Sequence, residues 1–96
     1  MQPTLPIDTV QLKKIFHGHG VVRAYVFGSY ARGDQRPDSN IDFLVEFESS
    51  RSLFDQIDLE QALEEASGRK VDVVSVGGLR PRLKPFIDKD KIELSL

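Results

Sequence analysis

The sequence predicts a small α/β domain of the α+β kind, a mixed three-stranded sheet with flanking helices. Two runs, "VVRAYVF" (Val21–Phe27) and "KVDVVSV" (Lys70–Val76), are dense in β-branched residues, which suit a pleated, half-buried surface. A third, "NIDFLVEF" (Asn40–Phe47), alternates apolar and polar residues, the mark of a strand with one apolar face. Segments of helical spacing lie before, between and after these runs, so the two kinds of element interleave along the chain.

At the start, two prolines predict an extended segment over residues 1–6. Asp8 and Gln11 have the spacing of a capping box, and Ile7 and Leu12 that of a hydrophobic staple. The helix they open is expected to reach Phe16 and stop before "HGHG", where Gly18 or Gly20 can turn left-handed. Val21–Phe27 is apolar on both faces, which predicts a central strand covered on both sides. "SYARG" then reads as one helical turn opened by Ser29 and stopped by Gly33, and "DQRPDS" as a polar loop. In the next strand Ile41, Phe43, Val45 and Phe47 share one face, and Asn40, Asp42, Leu44 and Glu46 the other. Ser52 is a cap for a long helix from Leu53 to Ser67. Its apolar side is Leu53, Ile57, Leu59, Ala62, Leu63 and Ala66, and Gly68 ends it. The third strand puts Asp72, Val74 and Val76 on one face and breaks at Gly77-Gly78. Leu79, Leu83, Phe86 and Ile87 have helical spacing, but Pro85 is unsuited to a helix interior, so this helix is expected to be short or kinked. "KIELSL" is a loose strand or an extended end.

The 96 residues are read as one domain, 1–96. With 13 Lys plus Arg against 15 Asp plus Glu, the net charge of -2 argues against a duplex DNA binder driven by bulk positive charge. There is no cysteine, which excludes disulfides, thiolate metal sites and a thiol nucleophile. No apolar run approaches the ~20 residues of a membrane span, and the first ten residues do not resemble a signal peptide. The expected location is the cytoplasm.

A strand that ends in Gly28-Ser29 and enters a helix exposes backbone N–H groups beside a hydroxyl, a natural phosphate cradle. A plain turn with a serine cap is the alternative. Asn40 and Asp42 lie two apart and point the same way, and Asp72 sits among valines in the third strand. If those strands are neighbours, Asp42 and Asp72 converge and offer two hard oxygen ligands for Mg²⁺ opposite the cradle. Otherwise each is a carboxylate at a solvated edge or in an ion pair. Arg32 directly follows the cradle and is the basic residue best placed for a phosphate. Arg36, Arg69, Lys70, Arg80, Arg82 and Lys84 are less specific. His17 and His19 flank Gly18 without further metal ligands nearby and read as helix-terminal histidines.

Gly28-Ser29, ten residues, then Asn40-Ile41-Asp42 on a strand–turn–strand frame resembles the nucleotidyltransferase superfamily that includes DNA polymerase beta. "FGSYARG", "IDFLVEF", "GRKVDVV" and "LRPRL" together look like the minimal nucleotidyltransferases (MNT proteins) of prokaryotes, over roughly residues 7–90. The resemblance implies a nucleotidyltransferase fold, and ATP as substrate with Mg²⁺ as cofactor. Gly28, Ser29 and Arg32 would serve the nucleotide phosphates. Positions 40 and 42 would ligate metal, with Asp72 the third carboxylate, assisting deprotonation of the acceptor hydroxyl. It also implies a partner, a HEPN-domain RNase toxin, which the MNT antitoxin binds and can mark with AMP on a tyrosine. Self-association into a homodimer is left open by the apolar residues of the last helix.

Asn40 departs from the family pattern, which has Asp there. An amide keeps one oxygen ligand, loses a full negative charge and cannot bridge two metals. The otherwise intact motif favours a single introduced or recent change over gradual drift. Three functions follow: an adenylyltransferase antitoxin, impaired or silenced at Asn40; an inert module that neutralises its partner by contact; or a transferase for a small molecule or nucleic acid.

Overall fold

A computed structural model of the chain describes residues 4–49 and 53–96. The elements are α1 (Thr9–Gly18), β1 (Val21–Phe27), α2 (Ser29–Arg32), β2 (Ile41–Phe47), α3 (Leu53–Ser67), β3 (Val71–Ser75), a 3₁₀ turn (Val76–Gly78), α4 (Lys84–Asp90) and β4 (Ile92–Leu94). The expected mixed sheet with flanking helices is present, but it has four strands, in the order β3-β2-β1-β4. The fourth comes from "KIELSL". Ile92, Glu93 and Leu94 pair antiparallel with Val26, Tyr25 and Ala24, and Leu94 is buried. Three residues are too few to show a period in sequence, so only the free edge of β1 makes them a strand.

Strand β1 runs antiparallel to β2, with Phe27 opposite Asp42. Strands β2 and β3 are parallel, with Asp42 opposite Asp72. The core lies on the face carrying Ala24, Val26, Ile41, Phe43, Val45, Val71 and Val73, against Leu12 and Phe16 of α1 and Leu59 and Leu63 of α3. Phe16 meets Phe43 edge to face, ring centroids 5.4 Å apart, a geometry that adds to area burial.

Asp8 caps α1 by accepting from the Gln11 N–H at 3.2 Å, and Leu12 is buried. The helix runs past Phe16 to Gly18, and Gly20, not Gly18, takes the positive φ of 77°. β1 is central within the sheet but is not covered on both sides. A register shift between Val21 and Arg23 turns Val22 outward, where it is 52% exposed. Along α3 only Leu59 and Leu63 are fully buried, whereas Leu53 and Ile57 are exposed, so its apolar side is narrower than the spacing predicts. The Ser52 cap lies outside the described residues. Helix α4 begins at Lys84, which puts Pro85 in the first turn, where its missing N–H costs nothing. The helix is short, as expected, with seven residues. Among the described residues no helix is long and apolar enough to cross a membrane.

Candidate active site

Three carboxylates and one guanidinium meet on the sheet face opposite the core. Asp42 and Asp72 are register partners on adjacent parallel strands, so both side chains rise from the same face side by side. A cleft of about 400 Å³ opens above them, lined by Phe27, Gly28, Arg32, Asp42, Asp72 and Val74, with Leu83, Phe86, Ile87 and Asp90 of the α4 segment. A larger groove of about 640 Å³ lies at the other end of β2 and β3, between Val45 and Gly78. It contains none of the residues singled out by the motif.

Gly28 is held by two separate constraints. Its backbone has φ 74° and ψ -149°, a region that is nearly closed to residues with a side chain. A Cβ there would lie 2.4 Å from Asp42 Oδ2. The close approach follows from register: Phe27 pairs with Asp42, so the next residue passes under its carboxylate. Gly28, rather than Ser29, is the N-cap of α2, and Gly33 stops that turn at φ 82°. Ser29 is therefore the first helical residue, in the part of a helix where amides lack an intrahelical acceptor.

Burial raises Asp42 from its ordinary 3.8 to about 6, and the charge of Asp72 and a hydrogen bond between the two carboxyls push the same way, against a smaller pull from Arg32. Such a pair is short of positive charge and fits a hard divalent cation. The third position does not add a carboxylate. Asn40 Nδ2 donates to Asp72 Oδ2 at 3.0 Å, and among the described residues no group of three or more His, Cys, Asp or Glu could hold a metal ion. The donor set is two carboxylates and an amide.

The raised Asp42 has a consequence for stability. The folded form holds its proton more tightly than the unfolded chain, so stability is greatest below pH 3.8 with respect to this group and falls as pH rises through about 6. Asp42→Asn removes the penalty. Discounted for the part of the carboxylate that water screens, it should stabilise the fold by roughly 1–2 kcal/mol at pH 7.5 without divalent cation and by nothing at pH 4. Thermal melts at the two pH values check this; equal gains at both would refute the assignment.

Arg32 is brought to the cleft but not left free. Its guanidinium donates to Asp90 at 2.9 Å and to Asp34 at 3.1 Å, and both raise its pKa. Asp90 is not among the residues the motif points to. Its signal is helical spacing, since Leu83, Phe86, Ile87 and Asp90 fall on one face at i, i+3, i+4 and i+7. Other basic residues stand apart from the cleft: Lys84 pairs with Asp88 at 2.7 Å, Arg69 donates to the Pro37 carbonyl, and Arg80 and Arg82 are exposed. His17 Nε2 lies 2.9 Å from the Leu96 carbonyl oxygen, a structural role.

Residues 10–95 match the family described as polymerase beta, nucleotidyltransferase. The chain belongs to this nucleotidyltransferase family. A Methanocaldococcus jannaschii protein, named provisionally as a protein adenylyltransferase, is 45% identical to it over 76 residues, 79% of this chain and 82% of its own. The protein adenylyltransferase MntA of Thermococcus cleftensis is 42% identical over 74 residues, 77% of this chain and 75% of its own. Among solved structures, a chain of a toxin–antitoxin complex with AMP-PNP superposes with a TM-score of 0.82 at 23% identity, covering 93% of this nucleotidyltransferase and 73% of that chain. A chain from the complex of tri-AMPylated Shewanella oneidensis HEPN toxin with MNT antitoxin gives 0.72 at 20% identity, covering 91% and 68%. At those identities the likeness is one of fold. The expected fold and the expected nucleotidyltransferase family are both borne out.

Proposed function

We propose that this nucleotidyltransferase is an MNT-type antitoxin that binds and neutralises a HEPN-domain RNase toxin, with a site built to move AMP from ATP to a toxin tyrosine. The observation that carries this reading is the register pairing of Asp42 with Asp72 beside the Gly28 turn. It is supported by the name that its relative MntA bears and by a fold shared with chains of toxin–antitoxin complexes.

In this reading the amides and hydroxyl at Gly28 and Ser29 receive the triphosphate, and Arg32 leaves Asp90 to join them. Asp42, Asp72 and the Asn40 amide are the donors that would hold Mg²⁺, which supplies charge neutralisation of the phosphates when bound. The acceptor hydroxyl forms a bond to the α-phosphorus as the bond to pyrophosphate breaks, and Asp72 takes the hydroxyl proton. The apolar wall of Leu83 and Phe86, exposed to 46% and 71%, is suited to an aromatic acceptor presented by another protein.

A second reading, an inert module acting by contact, is favoured by one observation. The Asn40 amide occupies an oxygen of Asp72 that a metal or a proton would use. Gel filtration of this chain with a HEPN-domain RNase toxin from the same organism, with and without ATP, tests the partnership. Co-elution with suppressed RNase activity is expected. Separate elution with undiminished RNase activity would sink both antitoxin readings and favour another acceptor.

A further inference from the structure

Strand β3 is an edge strand, and an edge leaves a row of unpaired backbone groups. Here that row is met by side chains of one helix. Glu64 accepts the Val71 N–H at 3.0 Å, Glu60 accepts the Val73 N–H at 2.9 Å, and Gln56 Nε2 donates to the Val73 carbonyl at 2.7 Å. The three residues lie four apart in α3, so they form one row along its face. Leu59 and Leu63, each the residue before a glutamate, are fully buried in the core and seat the helix. Residues 56, 60 and 64 thus stand in for a missing strand.

Val71 and Val73 are the immediate neighbours of Asp72. We propose that Glu60 and Glu64 are positioning residues that lock β3 at the height where Asp72 faces Asp42. The inference rests on the functional reading only for what the pair binds; the positioning itself is geometric. The lock is needed because β3 is tied to the sheet on one side only, through a parallel pairing with β2, and a slip of one residue would turn Asp72 to the core face. Oxygen acceptors are required at 60 and 64 because both edge groups they meet are N–H donors. A side-chain donor is needed at 56 because its partner is a carbonyl.

The test compares the parent chain with Glu60→Gln/Glu64→Gln, which keeps an acceptor oxygen at each position, and with Glu60→Ala/Glu64→Ala. Amide exchange at Val71 and Val73, cross-strand NMR contacts between residues 42 and 72, and Mn²⁺ affinity are read for each. The alanine pair should speed exchange at both amides about tenfold, the value of one net hydrogen bond of about 1.4 kcal/mol, weaken the 42–72 contacts and weaken Mn²⁺ binding about tenfold. The glutamine pair should stay near the parent protein in all three. Single Glu60→Ala and Glu64→Ala variants serve if the double variant does not fold. Unchanged 42–72 contacts in the alanine variants would overturn the inference, as would a glutamine pair that behaves like the alanine pair. A parent protein whose Mn²⁺ binding survives Asp42→Ala would refute the proposed metal role instead, and the 42–72 contacts would still decide the positioning.

Discussion

If the site works as proposed, Asn40→Asp raises Mg²⁺-dependent transfer of AMP to a HEPN partner about a hundredfold or more. The present amide costs the site twice. It omits a negative charge beside Asp42 and Asp72, and its Nδ2 donates to Asp72 Oδ2 at 3.0 Å, holding an oxygen that the proposed reaction would use. A carboxylate at 40 cannot make that bond. It would instead complete a three-carboxylate set, and ~3 kcal/mol of barrier corresponds to roughly a hundredfold in rate. The same substitution has an opposite effect on the metal-free fold. Three carboxylates on one sheet face repel, so the variant should melt below the parent protein in EDTA at pH 7.5 and recover on addition of Mg²⁺. The readout is label passed from ATP to the partner, with Asp72→Ala in the Asn40→Asp background as the control that removes it. Equal labelling by the parent chain and the Asn40→Asp variant would show that the amide is not what limits this site. Labelling that survives the loss of Asp72 would remove Asp72 from the reaction.

Gly28→Ala should be the most damaging single-methyl substitution near the site. The backbone at φ 74°, ψ -149° costs a residue with a side chain ~1–3 kcal/mol. The new Cβ would also lie 2.4 Å from Asp42 Oδ2, so the carboxylate or the turn must move. A loss of roughly 2–4 kcal/mol, about 10–20 °C in Tm for a domain this small, is expected together with loss of AMP-PNP binding. Gly18→Ala is the control, since nothing lies within 4 Å of its added Cβ and α1 gains helix propensity. Calorimetric melts and nucleotide titration separate the two effects. A Gly28→Ala protein that keeps both stability and binding would contradict the close approach described here.

Local signals explain which elements are legible in the sequence. Asp8 caps α1 by accepting from the Gln11 N–H, as its spacing predicts, and β1 spans the predicted Val21–Phe27. Helix α3 ends at Ser67 before Gly68 at φ 69°. Each of these depends on residues within a few positions of one another. β4 is not legible as a definite strand, because it is three residues long and is defined by the edge it joins. The second face of β1 reads as covered in the sequence and is open in part: Arg23 is exposed and Tyr25 and Phe27 are half-buried, while a register shift, unseen in hydrophobic pattern, turns Val22 out. Helix α3 reads as broader than it is because spacing reports a helical face, while burial depends on what stands opposite.

For the site, the residue types and their spacing along the chain are enough to single out Gly28, Ser29, Asn40, Asp42 and Asp72, and to mark Asn40 as the departure. What the chain pattern alone does not decide is pairwise geometry between distant segments. The parallel register that sets Asp42 opposite Asp72, the salt bridge from Arg32 to Asp90 and the amide of Asn40 on Asp72 each join residues far apart in the chain. Sequence periodicity fixes which way a side chain points from its own strand or helix. Which side chain it then meets depends on strand order and register, and these are decided by packing of the whole sheet against its helices.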